Sequence, residues 1–322
     1  TDWPWLGSWR YLNVRSLRLA RGLWQLRRAT AALEEVEESL SLAAFLQQQS
    51  FDPLFWRGLV LPLLTTICTC DEAQLLAWPA PQLLGLLDDI LHGGGLVRLR
   101  GGTSALVAAL AADIPAFTGS PVSRVAQQEN GVLVHNARGE GGQFDYVILA
   151  VQANQLDFLE GKQLQREKQV LGAVRFDSGE LWLHQDPRFL PRRAADWRAL
   201  NFQTDPGLER VMFTVLVNAV EPTLATPEPV LQTWNPLYEP EPATVLARVP
   251  LQRAVVHAGT AEVHRALAEW HAQPGRRVFY SGSWACPGVP LLETAVRSAQ
   301  AVVSRLQLLE RGRAGGAIPD RQ

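Results

Sequence analysis

The sequence has little cysteine, almost no methionine and almost no lysine. Only Cys68, Cys70 and Cys286 occur among 322 residues, too few and odd in number for a disulfide framework, so we expect a reducing, cytoplasmic location. No apolar stretch is long enough and free enough of charge for an ordinary transmembrane helix. No signal peptide is visible, and since the first residue is not methionine we expect the natural start to lie upstream.

Acidic and basic residues nearly balance. The 30 basic and 32 acidic residues give a net charge of −2, so bulk electrostatics does not recruit nucleic acid and we expect no nucleic-acid partner. The 47% of apolar residues predicts a large folded core. Basic charge is almost wholly arginine, because Lys162 and Lys168 are the only lysines.

Periodicity predicts a helical block followed by mixed strands and helices. Residues 14–48 carry apolar side chains at helical spacing among many arginines, and residues 51–90 predict short helices separated by prolines. Beyond Gly93 the pattern changes to alternating strands. Residues 131–136 and 144–151 are predicted to form a hairpin. The chain is therefore expected to be an α/β protein.

Several candidate sites favour plain structural interpretations. His184 and Asp186 share a strand face as a candidate acid–base pair, although a pair satisfied by the backbone is the simpler interpretation. Three histidines recur at intervals of seven (His257, His264 and His271) without ligands to complete a metal site, so no metal is expected. The arginine pairs 192–193 and 276–277 are expected on solvated faces. The Trp- and Arg-rich opening fits either a helix packed on its own domain or a peripheral membrane contact.

Glycines occur at two positions where a helix is about to begin. Gly101-Gly102 precedes a predicted helix, and Gly282 follows a predicted strand before the long helix predicted at 291–309. Between them, the apolar strand 147–150 is typical of a strand covered on both faces. A strand followed by glycine at a helix N-terminus builds a cradle for an anion or dinucleotide, because backbone amides approach the ligand closely.

Together these segments resemble the flavin-containing amine oxidase superfamily, which includes phytoene desaturases and protoporphyrinogen oxidases. Residues 99–106 are similar to a family segment that begins a helix with Gly-Gly-x-x-x-Leu, and residues 120–125 to one whose valine meets the adenine. Residues 282–296 are similar to the C-terminal flavin motif. Leu61-Pro62, residues 183–186 and the turn 282–284 also resemble bacterial proteins described only as NAD/FAD-binding.

The resemblance implies FAD as cofactor, bound non-covalently because the C-terminal motif offers only Cys286 for attachment. The cofactor-binding residues that it implies are Gly101, Gly102, Val122, Ala150, Gly282, Ser283, Trp284, Pro290, Leu291, Leu292 and Ala295. It also implies a two-domain α/β fold of the FAD-dependent oxidoreductase kind, with interleaved domains. The expected substrate domain comprises a helical part at 1–94 and a mainly antiparallel sheet at 152–275. The flavin-binding domain comprises 95–151 and 276–305, and 306–322 ends the last helix in a tail.

The sequence departs from the family pattern at two points. No G-x-G-x-x-G occurs, so the N-terminal βαβ unit that binds the FAD pyrophosphate is missing. Either these residues are a fragment, a partner chain supplies the unit, or FAD binding is lost. Many relatives also keep a lysine near flavin N5, and neither lysine here lies on a plausible active-site strand.

The expected function is FAD-dependent oxidation by hydride transfer to the flavin. The missing lysine and the apolar residues of the substrate side favour an apolar substrate, such as a lipid or isoprenoid, over a small amine. The apolar residues in question are Phe51, Phe55, Trp56, Leu59, Trp182, Phe213 and Trp234. No side chain is identified as a catalytic acid or base. The alternative is a cofactor-free binding or structural protein.

Overall fold

The computed structural model describes residues 12–31, 40–68, 70–92, 97, 99–221, 223–257 and 259–315. The chain forms two compact units, each assembled from two separate segments. The first unit comprises Thr1–Arg98 and Asp177–Arg253, and the second comprises Leu99–Phe176 and Ala254–Gln322. The units are therefore interleaved in the chain, as expected from the sequence.

The helices are numbered in chain order. They are α1 (Val14–Ala31), α2 (Leu42–Gln47), α3 (Pro53–Phe55), α4 (Leu61–Cys68), α5 (Glu72–Leu76), α6 (Ala80–His92), α7 (Gly102–Ala111), α8 (Lys162–Leu171), α9 (Val217–Val220), α10 (Thr260–Ala272) and α11 (Leu292–Gly315). A π-helical segment, Trp56–Val60, joins α3 to α4. None of the helices in the described ranges is both long and apolar enough to cross a membrane.

The strands are numbered in the same way. They are β1 (Val122–Gln128), β2 (Gly131–Asn136), β3 (Gly141–Phe144), β4 (Val147–Leu149), β5 (Leu159–Glu160), β6 (Arg175–His184), β7 (Leu200–Thr204), β8 (Val211–Leu216), β9 (Leu231–Trp234), β10 (Val245–Val255) and β11 (Val278–Tyr280).

Side-chain caps start the short helices of the first unit. The Ser41 hydroxyl accepts from the Ala44 amide at 3.2 Å and begins α2. Asp71 begins α5 with a capping box, in which Gln74 bonds back to the Asp71 amide. Behind these caps the first unit buries large apolar side chains, among them Phe45, Phe55, Leu64, Trp78 and Leu83.

The first unit also contains a five-stranded sheet in the order β10-β6-β9-β8-β7. Strands β6 to β9, β9 to β8 and β8 to β7 pair antiparallel. Phe189, Met212 and Leu231 form a core cluster within this unit. Strand β9 lies between Pro229 and Pro236, in a proline-rich connection for which residue periodicity predicts no strand.

The second unit contains two sheets. One has the order β3-β2-β1-β5, and the other is the parallel pair of β11 and β4. Helices α8 and α10 supply Leu164 and Val263 to a core that also includes Val125, Leu149 and Tyr280. Residues 152–176 and 254–275 therefore belong with the second unit, although the sequence predicts them in the substrate domain.

The predicted hairpin is wrong in one strand. Strand β2 pairs with β3, so that Val132 lies opposite Phe144. Residues 147–149 instead leave this sheet and pair in parallel with β11. The physical reason is the continuous apolar pattern of β4, which suits a strand buried in a parallel pair better than a hairpin arm.

Candidate functional site

The centre of the candidate site is the parallel pair of β4 and β11 in the second unit. The Val147 amide donates to the Arg277 carbonyl at 2.9 Å, and the Ser281 amide donates to the Leu149 carbonyl at 3.0 Å. These bonds bring Ala150, just after β4, next to the turn that follows β11. Two segments that the sequence places in one site are thus joined by the backbone.

The two edges of this small sheet differ. On the outer side of β11, the Arg276 side chain donates to the Val278 carbonyl, and the Tyr280 amide donates to Nε2 of His271 at 3.0 Å. These side chains close that edge. On the other side of β4, no described strand is bonded, and Ile148 is 45% exposed. The sheet is therefore closed at β11 and open at β4.

Gly282 makes the sharp turn after β11. Its φ of +154° favours glycine, and a Cβ built there would lie 3.0 Å from Nε1 of Trp284. The buried Trp284 indole in turn donates to the Val151 carbonyl at 2.9 Å. Ser283 and Trp284 lie in a short 3₁₀ turn, which the bond from the Ala285 amide to the Gly282 carbonyl helps to close.

The start of α11 is fixed by its own side chains. The Thr294 hydroxyl accepts from the Leu291 amide at 3.1 Å, and the Ala295 amide donates to the Leu291 carbonyl. Pro290 precedes this turn and Leu292 begins the helix with 65% of its surface exposed. The Gly282 amide reaches forward to the Ser298 hydroxyl at 3.3 Å, so the turn and the helix are held together.

Gly101 and Gly102 lie at the start of α7. Both have left-handed φ values, +81° and +69°, and a Cβ on Gly101 would lie 2.9 Å from that of Ala105. Val122 begins β1 and is 44% exposed. Among the described residues, no hydrogen bond joins these three positions to the turn after β11. The structure thus brings Ala150 next to the turn after β11, whereas no hydrogen bond within the described residues links the glycine pair or Val122 to that turn.

Sequence reasoning missed a buried ion pair beneath this site. Arg276 and Glu167 are almost wholly buried and form two parallel bonds of 2.6 and 2.8 Å. The Tyr280 hydroxyl donates to the same carboxylate at 2.9 Å, and burial raises the pKa of Tyr280. The expectation that Arg276 lies on a solvated face is therefore wrong. In the sequence, Glu167 lies among polar residues near Lys162 and Lys168, and no local pattern marks it as buried.

The histidine candidates are held by structural bonds. Asp186 is buried, its backbone amide donates to Nδ1 of His184, and hydrogen bonds from Arg188 lower the pKa of Asp186 to about 2. Burial lowers the pKa of His184 to about 4, so its ring is neutral. His264 bonds to the Trp284 carbonyl at 3.0 Å, and His257 to the Ala173 carbonyl at 2.9 Å. These bonds support the structural interpretation.

Each unit has a cavity near the residues of interest. In the first unit a cleft of about 440 Å³ is lined by residues of α4 and of strands β8 and β9, together with polar neighbours. Phe213 and Trp234, two of the expected apolar residues, contribute to its walls. Phe55, Trp56 and Trp182 are instead buried core residues. In the second unit a cavity beside Trp284 holds only about 10 Å³, room for about one water.

Solved structures with a similar fold include amine oxidases, a fatty acid isomerase and an oxidoreductase. The fold is similar to that of a CLA-producing fatty acid isomerase from P. acnes (TM-score 0.57, 14% identity, 92% of this chain and 76% of that one). It is similar to a putrescine oxidase bound to putrescine (TM-score 0.59, 13% identity, 94% of this chain and 77% of that one). It is also similar to a cyclohexylamine oxidase from Brevibacterium oxydans (TM-score 0.59, 13% identity, 91% of this chain and 76% of that one). The predicted fold class is confirmed.

Residues 8–216 match the family described as flavin containing amine oxidoreductase, so the chain belongs to that family. The predicted superfamily and its flavin cofactor are thereby confirmed. No curated protein matches the sequence significantly. The family match ends before the turn at Gly282, whose assignment to the flavin still rests on its resemblance to the C-terminal motif.

The residues present fit part of the cofactor. The backbone at Gly282 is free of a side chain and lies at the approach to α11, where amides and the helix dipole favour a polar or anionic group. The glycine pair before α7 has the same character. A phosphate-binding G-x-G-x-x-G loop is absent from the sequence, so these residues hold no such loop for the pyrophosphate.

Proposed function

We propose that this chain belongs to a cytoplasmic FAD-dependent oxidoreductase in which hydride passes from an apolar substrate, such as a lipid or isoprenoid, to the flavin. When bound, the flavin would supply the hydride acceptor. The chain's own residues enclose the substrate and hold the flavin ring through the turn at Gly282. The observation that carries the proposal is the cleft of about 440 Å³ in the first unit.

The walls of this cleft favour an apolar ligand. Phe213 and Trp234 line it together with Leu61 and Leu237. Two of its acidic residues already have partners: Glu72 pairs with Arg57 at 2.9 Å, and Asp71 caps α5. Burial also raises the pKa of Asp177, which disfavours its charged form. An apolar body therefore finds more complementary surface here than a simple ammonium ion does.

The placement of lysine supports the same choice. Both lysines lie on α8, and Lys168 pairs with Asp157 at 2.7 Å. Neither belongs to a strand of the described sheets. Hydrogen-bonding by a lysine near the flavin ring is therefore not part of the proposed chemistry.

A second candidate is oxidation of an amine with an apolar body. The specific observation in its favour is that Asp177 and Glu209 also line the cleft. Relatives in fold are described as putrescine and cyclohexylamine oxidases, and another as a fatty acid isomerase, so fold similarity alone accommodates both candidates.

We propose further that flavin binding requires an α/β unit carrying a phosphate-binding loop, which pairs with the open edge of β4. The parallel sheet has only two described strands, fewer than a stable sheet usually contains. Parallel strands are also normally covered on both faces. Of the two strands in this sheet, only β4 has an edge that no described residue covers. The unit would come from the same polypeptide or from a partner chain.

The first test is the absorbance near 450 nm of the purified protein with FAD added, alone and with the α/β unit supplied. We expect flavin retention only with the unit. Flavin bound equally well without it contradicts the partner proposal, and no flavin in either sample favours the cofactor-free alternative.

The second test is peroxide release by the flavin-loaded protein with fatty acids, carotenoid-like compounds and amines. We expect turnover of the apolar set, reduced at least tenfold in Trp234→Ala, because this ring lines the cleft. Phe144→Ala, an exposed position in the second unit, is the matched control. Rapid turnover of a small amine with none of the apolar set would overturn the substrate assignment.

A further inference from the structure

One face of α1 in the first unit combines exposed apolar side chains with arginines. Val14, Leu17 and Trp24 are 73%, 69% and 58% exposed. They alternate with Arg21 and Arg28 at spacings of three and four residues, so the five side chains form one stripe along the helix. This set is called the outer stripe.

The opposite face of α1 is fixed against its own unit. Gly22 packs so closely on Phe55 that a Cβ would lie 2.1 Å from its ring, and Leu26 is 4% exposed. Arg18, at the border between the two faces, pairs with both oxygens of Asp52. The helix is therefore held in one rotational setting, and the outer stripe points away from the packed face.

The charge of α1 is of one sign. Its 18 residues contain five arginines (Arg15, Arg18, Arg21, Arg27 and Arg28) and no acidic residue. Neither arginine of the outer stripe forms an ion pair within the described part of the chain. The glutamates at 34, 35, 37 and 38 follow in the sequence outside the described residues. The relevant positive charge is therefore that of Arg21 and Arg28 on the outer stripe, and not the net charge of the whole segment.

A cleft of about 390 Å³ adjoins the outer stripe. Trp24 and Arg28 line it together with Phe51 and polar groups of Gln25 and Ser50. The Arg28 guanidinium carbon lies 4.8 Å from the centre of the Trp24 ring. The cleft thus offers a cation beside two aromatic surfaces, which suits a phosphate headgroup attached to an apolar chain.

We infer that α1 binds the surface of an anionic lipid membrane through the outer stripe, with a lipid headgroup in the cleft beside Arg28. An interfacial helix needs an apolar face that enters the headgroup region and basic residues that meet anionic lipid. The helix is about 27 Å long, so it lies along the surface and contacts several lipids.

The test is co-sedimentation with vesicles of phosphatidylcholine alone or mixed with phosphatidylserine. The protein is expected to pellet with the anionic vesicles and to be released as salt is raised. Arg21→Gln with Arg28→Gln is expected to lower the partition coefficient roughly 25-fold, because each basic residue near an anionic surface contributes about a factor of five. Leu17→Gln with Trp24→Gln is also expected to weaken binding to the anionic vesicles, because these apolar side chains would enter the headgroup region.

The matched control is Arg166→Gln with Arg265→Gln, which removes the same charge from exposed positions of the second unit. Equal loss of binding in this control, or no sedimentation of the unaltered protein with anionic vesicles, overturns the inference. Inorganic phosphate distinguishes a soluble-anion site: binding of inorganic phosphate by a protein that does not sediment with anionic vesicles would also overturn the inference.

Discussion

Replacing Glu167 by glutamine tests the buried ion pair under the β4–β11 sheet. The substitution keeps the shape of the side chain and removes its charge. Arg276, whose side chain is 0% exposed, would then be left without the carboxylate that it contacts at 2.6 and 2.8 Å. The Tyr280 hydroxyl could still donate to the amide oxygen, so the lost charge is the main effect.

The expected cost is about 3–5 kcal/mol, the usual effect of leaving one member of a buried pair uncompensated. Stability of a protein of this kind is about 5–15 kcal/mol, so this loss is a large part of the total. The midpoint of the transition of the second unit is expected to fall by roughly 10 °C. Arg276 also closes the outer edge of β11, so its rearrangement would loosen the sheet itself.

Thermal and urea unfolding followed by circular dichroism measure this change. Glu160→Gln is the control, because its pair with Arg124 is exposed and contributes about 0–1 kcal/mol. The double variant Glu167→Met with Arg276→Met is expected to recover only part of the loss, since it leaves no unpaired charge but removes the partners of the Tyr280 hydroxyl and the Val278 carbonyl. A Glu167→Gln protein within about 0.5 kcal/mol of the original would refute the reasoning.

Three further predictions concern the cofactor turn and the buried histidines. Gly282→Val is expected to abolish flavin retention and to leave the fold intact, because a side chain at φ +154° is strained and contacts Trp284. The flavin content per protein measures this retention, and Gly142→Val is the control. Acid precipitation is expected to release all flavin to the supernatant, since the cofactor is non-covalent; yellow pellets would contradict this. Burial lowers the pKa of His271 to about 4 from an unfolded value near 6.5, so the unfolded chain binds more protons between these pH values. The free energy of unfolding should therefore fall as the pH drops from about 6.5 to about 4. In the His271→Gln variant this fall should be less steep, and urea titrations at several pH values measure the difference.

The fold was predictable wherever local pattern and packing agree. Periodicity predicts the long helix at 291–309, and the structure has α11 at Leu292–Gly315. It fails for β9, because Leu231–Trp234 lies between prolines and becomes a strand only by pairing with β6 and β8. It fails for β4 in a different way, since apolar content predicts a strand but does not select its partner.

The candidate site was predictable only where backbone geometry demands a residue type. The glycines at 101, 102 and 282 could be predicted from the sequence, because each position has a positive φ that other residues rarely adopt. The ion pair of Glu167 and Arg276 joins residues 109 positions apart, and nothing in the local sequence distinguishes these charges from solvated ones. Burial by tertiary packing decides that difference.

The β4–β11 sheet connects the proposed cofactor chemistry to the proposed partner. At β11 the protein uses two side chains, Arg276 and His271, to satisfy the carbonyl of Val278 and the amide of Tyr280. Such caps exclude a further strand on that side. No equivalent cap from the described residues covers β4. The missing phosphate-binding loop and the open strand edge are independent observations, one from the sequence and one from the structure. Both are satisfied by one strand–loop–helix unit that pairs with β4 and directs its loop toward the turn at Gly282.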